Sequence, residues 1–249
     1  MYSSIFSSSW IMLIIISTVL GLATQGYIKS TFRKWSQVPL RNGMTGAQVA
    51  AQVLRANGID TDNTAIAQQV VGGGRPHVRI QAIGGSLSDN YDPRDKTLNL
   101  SEPVFASSTV AAAGVAAHEA GHAVQDAQGY VWGTLRSALV PVASFGSGAG
   151  IWMVIIGAVF LRSIPLGIGV AYVGIALFGF AVLFQIVTLP VELNASRRAL
   201  TTLESTGMLD PEQLGGARKV LTAAALTYVA AALIAALQFL YYLGFLRRN

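Results

Sequence analysis

The chain of 249 residues contains no cysteine, and only 12% of its residues are charged. The absence of cysteine excludes disulfide bonds and thiolate metal ligands, so histidine, glutamate and aspartate are left as possible metal ligands. A soluble domain of this length usually carries about 25% charged residues. The shortage of charge therefore points to segments that lie in lipid rather than in water.

Four apolar runs are each long enough to cross a bilayer, which takes about 20 residues. The first run has no lysine or arginine before it and a poor cleavage site after it, so we expect an uncleaved anchor rather than a signal peptide. We predict a mainly α, four-span helical membrane protein. The runs are Ile5–Gly26, Val142–Leu161, Ile164–Leu189 and Ala223–Leu246.

The basic residues favour one orientation in the cell membrane, with the N-terminus outside. In this orientation 14 of the 17 lysines and arginines are cytoplasmic, and only Arg162, Arg247 and Arg248 are outside. Such an excess of basic residues on the cytoplasmic side is typical of membrane proteins. The pI near 9.7 is then explained by contact with anionic lipid, and no basic and aromatic surface for nucleic acid is evident.

The segment between the first two runs is long enough for one small domain. Capping residues, turn residues and alternating apolar residues predict its elements. In order, these are a helix capped by Thr45 that ends before Gly58, a weaker helix over Asp62–Val71, a β-hairpin from Val78–Leu87 to Thr97–Leu100 with its turn at Asp92–Lys96, and an alanine-rich helix over about Val104–Gln128.

The sequence His118-Glu119-Ala120-Gly121-His122 lies near the end of this last helix. Two histidines four residues apart stand one helical turn from each other, so both imidazoles can reach one metal ion. Glu119 would lie beside that ion, where it can take a proton from a water molecule. The motif predicts a zinc site, against the alternative of a surface helix that carries two histidines by chance.

A catalytic zinc site usually has three protein ligands, and Glu192 is the favoured third. Asp126 would lie roughly 12 Å from His118 along a straight helix, and the other acidic residues downstream lie in a polar stretch typical of solvated residues. Glu192 follows the third apolar run, in what reads as the first turn of a helix. Two spans separate it from His122, so both emerge on the same membrane face. The alternative is an acidic helix start favoured by the macrodipole, which needs no metal.

Three blocks of sequence resemble the YugP-like neutral zinc metallopeptidases of prokaryotic membranes. They are residues 116–125 (Ala-Ala-His-Glu-Ala-Gly-His-Ala-Val-Gln), 91–94 (Tyr-Asp-Pro-Arg) and 192–199 (Glu-Leu-Asn-Ala-Ser-Arg-Arg-Ala). The likeness covers nearly the whole chain, including the pair of spans between the two halves of the site. Because HExxH occurs in many peptidases, the third block is the most discriminating part.

This resemblance implies one zinc ion held by His118, His122 and Glu192, with Glu119 as the catalytic base. The layout is also similar to HtpX-type and CAAX-processing membrane peptidases, which have Ala-Asp after the third ligand where this chain has Ala195-Ser196. Ser196, one turn after Glu192, is a candidate for a hydrogen bond near the site, as is Asn194.

Four other residues are candidates for stabilising the transition state or binding substrate: Arg197, Arg198, Tyr91 and His77. For the arginines, contact with lipid headgroups is an equal alternative, and for His77 the alternative is a plain loop residue. One strand, Leu98–Leu100 or Val78–Ile83, is a candidate for pairing with an extended substrate. The alternative is a hairpin that only packs against the motif helix.

We therefore predict a membrane-embedded zinc endopeptidase that acts at the cytoplasmic face on a peptide or membrane-protein substrate. The oligomeric state is left open. The alternatives are a protease that cuts within the bilayer, like site-2 proteases, and a catalytically silent scaffold or adaptor.

The chain is predicted to consist of five segments. They are a first span with its flank (1–28), a zincin-like cytoplasmic domain with the β-hairpin and the motif helix (29–140), a transmembrane hairpin (141–189), a cytoplasmic segment with the third ligand (190–222), and a fourth span with its tail (223–249).

Overall fold

The computed structural model describes residues 7–63, 76–161 and 163–248. Its elements in chain order are α1 (Ser8–Trp35), α2 (Gly46–Ala56), β1 (Asp60–Asn63), β2 (His77–Ile83), β3 (Asn90–Asp92), β4 (Thr97–Ser101), α3 (Glu102–Ala106), α4 (Val110–Ala127), α5 (Val131–Phe145), α6 (Ile151–Ile155), α7 (Pro165–Ser205) and α8 (Pro211–Arg248). Two π-helical segments, Gly146–Gly150 and Ile156–Phe160, follow α5 and α6.

The chain divides into two compact units. The helical unit contains residues 1–25, 134–190 and 226–249, and the sheet unit contains residues 26–133 and 191–225. Among the described residues, four helical segments are long and apolar enough to cross a membrane: Ser8–Trp35, Val131–Phe160, Leu166–Ser205 and Pro211–Arg247. The predicted mainly α, four-span fold is confirmed, although the helices extend beyond the predicted runs.

Glycines bring the helices of the helical unit together. A Cβ at Gly146 would clash with the carbonyl oxygen of Leu177, and one at Gly157 would clash with that of Gly167. Gly150 and Gly174 face each other in the same way. Because lipid does not drive apolar side chains together, small residues that let backbones approach are the usual means of packing helices in a membrane.

The prediction that Glu192 lies in the first turn of a helix is wrong. Helix α7 continues without interruption from Pro165 to Ser205, and Pro190 lies inside it. Proline removes one backbone hydrogen bond, but a membrane helix tolerates it where neighbouring groups satisfy the freed carbonyl. Glu192 therefore belongs to the middle of a long helix.

The sheet unit is built on a four-stranded sheet in the order β1-β2-β4-β3. Strand β2 runs parallel to both β1 and β4, whereas β3 is antiparallel to β4. The predicted hairpin is thus only partly correct: its first strand is Asn90–Asp92, and the segment Val78–Ile83 is a parallel neighbour of β4. The chain after β2 turns through Gly85 and Leu87, both with positive φ, before it returns as β3.

Two helices of the sheet unit, α2 and α4, begin at threonines with clear capping roles. Thr45 caps α2 in a capping box with Gln48, which confirms the predicted helix. The motif helix α4 begins at Val110 rather than Val104, because Thr109 caps it by accepting a hydrogen bond from the amide of Ala112.

Of the weaker helix predicted over Asp62–Val71, residues 64–71 lie outside the described residues. Its first two residues belong to strand β1, so the predicted start is wrong. Strand β1 pairs with β2 in a register that places Asp60 opposite His77. A strand that pairs with residues far along the chain is stabilised by contacts that local sequence does not reveal.

Candidate metal centre

His118, His122 and Glu192 converge on one point in the sheet unit. Glu192 Oε2 lies 3.2 Å from His118 Nε2 and 3.5 Å from His122 Nε2. One ligand atom from each of the three residues lies within 4.8 Å of the other two. No other group of histidine, aspartate or glutamate side chains among the described residues has this arrangement.

The three residues fit a zinc ion. In a tetrahedral zinc site with bonds of about 2.0–2.2 Å, ligand atoms are about 3.3–3.5 Å apart. The two distances through Glu192 Oε2, 3.2 and 3.5 Å, agree with that spacing. Two imidazole nitrogens and one carboxylate oxygen form a donor set typical of catalytic zinc, which keeps its fourth position for water or substrate.

Close packing between α4 and α7 makes this convergence possible. A Cβ at Gly121 would lie 2.6 Å from the carbonyl oxygen of Ala195, so only glycine allows the two backbones to approach this closely. Glu192 is only 2% exposed in this packing. A buried carboxylate is costly unless it is paired or binds a cation. The macrodipole alternative therefore fails, since Glu192 is buried within a helix rather than placed at its start.

Glu119 is partly buried on α4 beside the three ligand candidates. Burial raises the pKa of the Glu119 carboxyl, whereas His118 and His122 lower it and the carboxylates of Glu192 and Asp89 raise it further. A carboxyl group with a raised pKa is suited to exchange a proton near neutral pH. A bound cation would act in the opposite direction and help to keep the group ionised.

His118 and His122 each have a hydrogen-bonding partner at Nδ1, the ring nitrogen that does not face Glu192. Ser196 Oγ lies 3.0 Å from His118 Nδ1, and Gln125 Oε1 lies 3.0 Å from His122 Nδ1. Such contacts orient an imidazole and leave Nε2 for the metal. The structure thus brings the predicted Ser196 to the site. Gln125 was not predicted, although its position three residues after His122 places it on the same face of the helix.

Asn194 and Arg198 are connected to His122 through the side chain of Gln125. Gln125 Nε2 donates to Asn194 Oδ1 at 3.0 Å, and Arg198 Nε donates to the same oxygen at 2.7 Å. The Arg198 guanidinium also donates to Gln128 Oε1 at 2.5 Å and lies 5.9 Å from the centre of the Tyr130 ring. Arg198 is therefore held by neutral protein groups near the C-terminal end of α4.

The other predicted contact residues lie in different surroundings. The Tyr91 hydroxyl donates to Asp126 Oδ2 at 2.6 Å, and Lys96 Nζ lies 2.7 Å from the same oxygen. Burial and the Asp126 carboxylate raise the pKa of Tyr91 above its usual value. Arg197 is exposed on α7, and His77 is exposed at the first position of β2, outside the cluster of ligand candidates.

Neither strand predicted to pair with substrate is an edge strand. Strand β2 lies between β1 and β4, and β4 lies between β2 and β3. Pairing on their outer sides is partial, because β1 pairs only with His77–Ile80 of β2 and β3 pairs only with Thr97–Asn99 of β4. Whether Leu98–Leu100 or Val78–Ile83 binds the substrate backbone therefore stays a prediction, as does the alternative of a hairpin that only packs against the motif helix. The edges of this sheet are β1 and β3.

Comparison with known proteins identifies the family of this chain. Residues 10–247 match the family described as "Putative neutral zinc metallopeptidase", and the chain belongs to that family. The chain is also similar to the "Putative membrane protease YugP" of Bacillus subtilis (strain 168), with 40% identity over 233 residues that cover 92% of this chain and 94% of that protein. No solved structure matches the chain.

Proposed function

We propose that this protein is an integral-membrane zinc endopeptidase that hydrolyses peptide bonds at the cytoplasmic membrane face. The observation that carries the proposal is the convergence of His118, His122 and Glu192 at distances that suit one zinc ion. Residues 74 positions apart in the chain supply these ligand atoms, so the arrangement depends on the fold and not on the HExxH motif alone. The membership of the family and the relative's name support the same activity.

The protein's own residues have distinct roles in this reaction. Zinc, when bound, would polarise the scissile carbonyl and increase the acidity of a water molecule. Glu119 accepts the proton of the attacking water and passes it to the leaving amine. Ser196 and Gln125 hold the two imidazoles in place through their Nδ1 atoms. The exposed guanidinium of Arg197 is available for a substrate carboxylate or a lipid headgroup.

The orientation is a separate part of the proposal. The excess of lysine and arginine between the first two spans favours an external N-terminus and a cytoplasmic metal site. Because the chain contains no cysteine, single cysteines can be introduced at the exposed residues Ser86 and Ser163 and labelled from either side without background. The Ser86 variant should be labelled only after the membrane is permeabilised, and the Ser163 variant should be labelled from outside; the opposite pattern would reverse the orientation.

The position of the motif argues against cleavage within the bilayer. Helix α4 has 18 residues and is not among the described helices that are long and apolar enough to span a membrane. A silent scaffold is also less well supported, since a purely structural metal site gains nothing from a partly buried carboxyl such as Glu119 beside the ligands.

Glu119→Gln in the full-length protein tests the proposal. Replacement of the base should lower the rate of cleavage of an unfolded or membrane-bound test protein by about 100- to 10,000-fold, while the zinc content stays unchanged. Glu102→Gln, at an exposed glutamate of the same unit, is the matched control and should leave the rate unchanged. Equal cleavage rates for Glu119→Gln and wild type would remove Glu119 as the base.

A further inference from the structure

The side chain of Gln125 is a polar group buried against the metal site. It is only 3% exposed, and its amide makes three hydrogen bonds. The oxygen Oε1 lies 3.0 Å from His122 Nδ1, and the nitrogen Nε2 donates to the carbonyl oxygen of Val191 at 2.8 Å and to Asn194 Oδ1 at 3.0 Å. A buried amide with every group paired is held in one orientation.

The contact with Val191 decides which way this amide faces. A backbone carbonyl oxygen can only accept a hydrogen bond, so the Gln125 atom beside it is the NH₂ group. The atom that faces His122 is therefore the amide oxygen, which can only accept. It follows that His122 carries a proton on Nδ1, so that with zinc bound Nε2 is the ligand atom.

His118 lacks a comparable constraint. Its Nδ1 lies 3.0 Å from Ser196 Oγ, and a hydroxyl group can donate or accept. Ser196 can therefore hold the ring of His118 in place without deciding which nitrogen carries the proton. Gln125 fixes the tautomer of its histidine, and Ser196 does not.

We propose that Gln125 is a positioning residue that fixes the tautomer of His122 and so strengthens metal binding. It also joins the end of the motif helix to the turn of α7 that carries Glu192, through Val191 and Asn194. This inference rests on the proposed function, because it concerns the zinc site assigned there. It adds a residue outside the HExxH motif that governs the affinity for the ion rather than the contact with substrate.

The test compares zinc affinity in full-length variants by competition with a chelator. Gln125→Leu removes the acceptor and should weaken zinc binding about 10- to 100-fold, as expected for loss of an outer partner of a metal-bound histidine. Gln125→Glu keeps an acceptor for His122 and should retain most of the affinity. Gln128→Leu is the matched control, since this exposed glutamine at the C-cap of the same helix bonds to Arg198. For any residual cleavage by Gln125→Leu with zinc at saturation, the KM for a test peptide should equal that of the wild type.

Two results would overturn the inference. Zinc affinity of Gln125→Leu within threefold of wild type would show that the amide does not support binding. Equal weakening in Gln125→Leu and Gln125→Glu would place the effect in the contacts with Val191 and Asn194 instead of in the tautomer of His122.

A measurement on the wild type decides the matter if Gln125→Leu does not fold. In the zinc-loaded protein, nitrogen NMR of the labelled histidines should show His122 protonated at Nδ1 and bound through Nε2. Binding through Nδ1 would contradict the inference. Failure of the wild type to bind zinc at all would instead contradict the proposed function, so the two failures are distinguishable.

Discussion

Both units pack helices together at glycines, but among the described residues only the contact in the sheet unit brings possible metal ligands together. In the helical unit, Gly146 meets Leu177 and Gly157 meets Gly167, and the residues three and four positions from Gly146 and Gly157 are apolar. In the sheet unit, Gly121 meets Ala195. Close contacts between helix backbones thus occur in both units. The units differ in the side chains that lie beside these contacts.

The contact in the sheet unit has polar residues at matching positions on both helices. His118 and His122 lie three residues before and one residue after Gly121, and Glu192 and Ser196 have the same spacing around Ala195. Residues at these positions lie on one face of each helix, so a single close approach brings all four side chains together. We therefore expect helix packing and metal binding to be coupled in the sheet unit and separate in the helical unit, where the described residues hold no such group of side chains.

The largest expected effect comes from Glu192→Gln, which removes a ligand but keeps the size of the side chain. Zinc affinity should fall by more than the roughly 100-fold limit typical of outer partners of a metal, and cleavage should be lost with it. Glu204→Gln, at an exposed glutamate of the same helix, is the control. Elemental analysis that finds full zinc content in Glu192→Gln after dialysis against a chelator would assign the third ligand elsewhere.

Gly121→Ala tests whether packing and metal binding are coupled. The added Cβ would lie 2.6 Å from the carbonyl oxygen of Ala195, so the two helices must move apart. A shift of about 1 Å can reduce a catalytic rate by about 100-fold. Gly114→Ala is the matched control on the same helix, because its Cβ would make an ordinary contact of 3.4 Å with the Ala217 side chain. Equal cleavage rates for Gly121→Ala and Gly114→Ala would contradict the claim that helix packing in the sheet unit is coupled to the metal site.

Gly146→Ala is the counterpart in the helical unit. Its Cβ would clash with the carbonyl oxygen of Leu177, so the variant should lose about 1–3 kcal/mol of stability through overpacking. Its zinc affinity should equal that of the wild type. Gly148→Ala, where an added Cβ meets no atom within 4 Å, controls for the change in helix propensity. Thermal unfolding in detergent measures the first effect, and a loss of zinc affinity in Gly146→Ala would contradict the separation of roles.

Asp126→Asn should have the smallest effect. The substitution removes the ion pair with Lys96, which is partly exposed and worth at most about 1 kcal/mol, while Tyr91 can still donate to the amide oxygen. Cleavage should stay within about threefold of the wild-type rate in a peptidase assay. A loss as large as that of Gly121→Ala would show that the hairpin, and not the helix contact, positions the site.

Local patterns in the sequence predicted the parts of the molecule that depend on neighbouring residues. The spacing of His118 and His122, the cap at Thr45 and the apolar runs each follow from helix geometry or from the thickness of a bilayer. The choice of Glu192 also depended on chain order, since two spans return the chain to the same face. None of these required knowledge of which distant segments pair.

The features that were predicted wrongly depend on tertiary contacts. The end of the third apolar run suggested that a new helix starts at Glu192, but α7 continues through Pro190, since a proline is tolerated inside a long membrane helix. The parallel pairing of β2 with β4 could not be read from strand propensity, because pairing is decided by burial across the sheet. Gln125 escaped notice because only the burial and partners of its amide distinguish it from other helical glutamines.

X-ray absorption of the purified, zinc-loaded full-length protein tests the central claim most directly. The account predicts one zinc per chain, bound by two imidazole nitrogens and a carboxylate oxygen at about 2.0–2.2 Å. The chain has three histidines, so a third imidazole in the zinc shell, or the absence of a carboxylate oxygen, would mean a different ligand set. That result, or a pure protein that retains no zinc, would contradict the convergence of α4 and α7 on one ion.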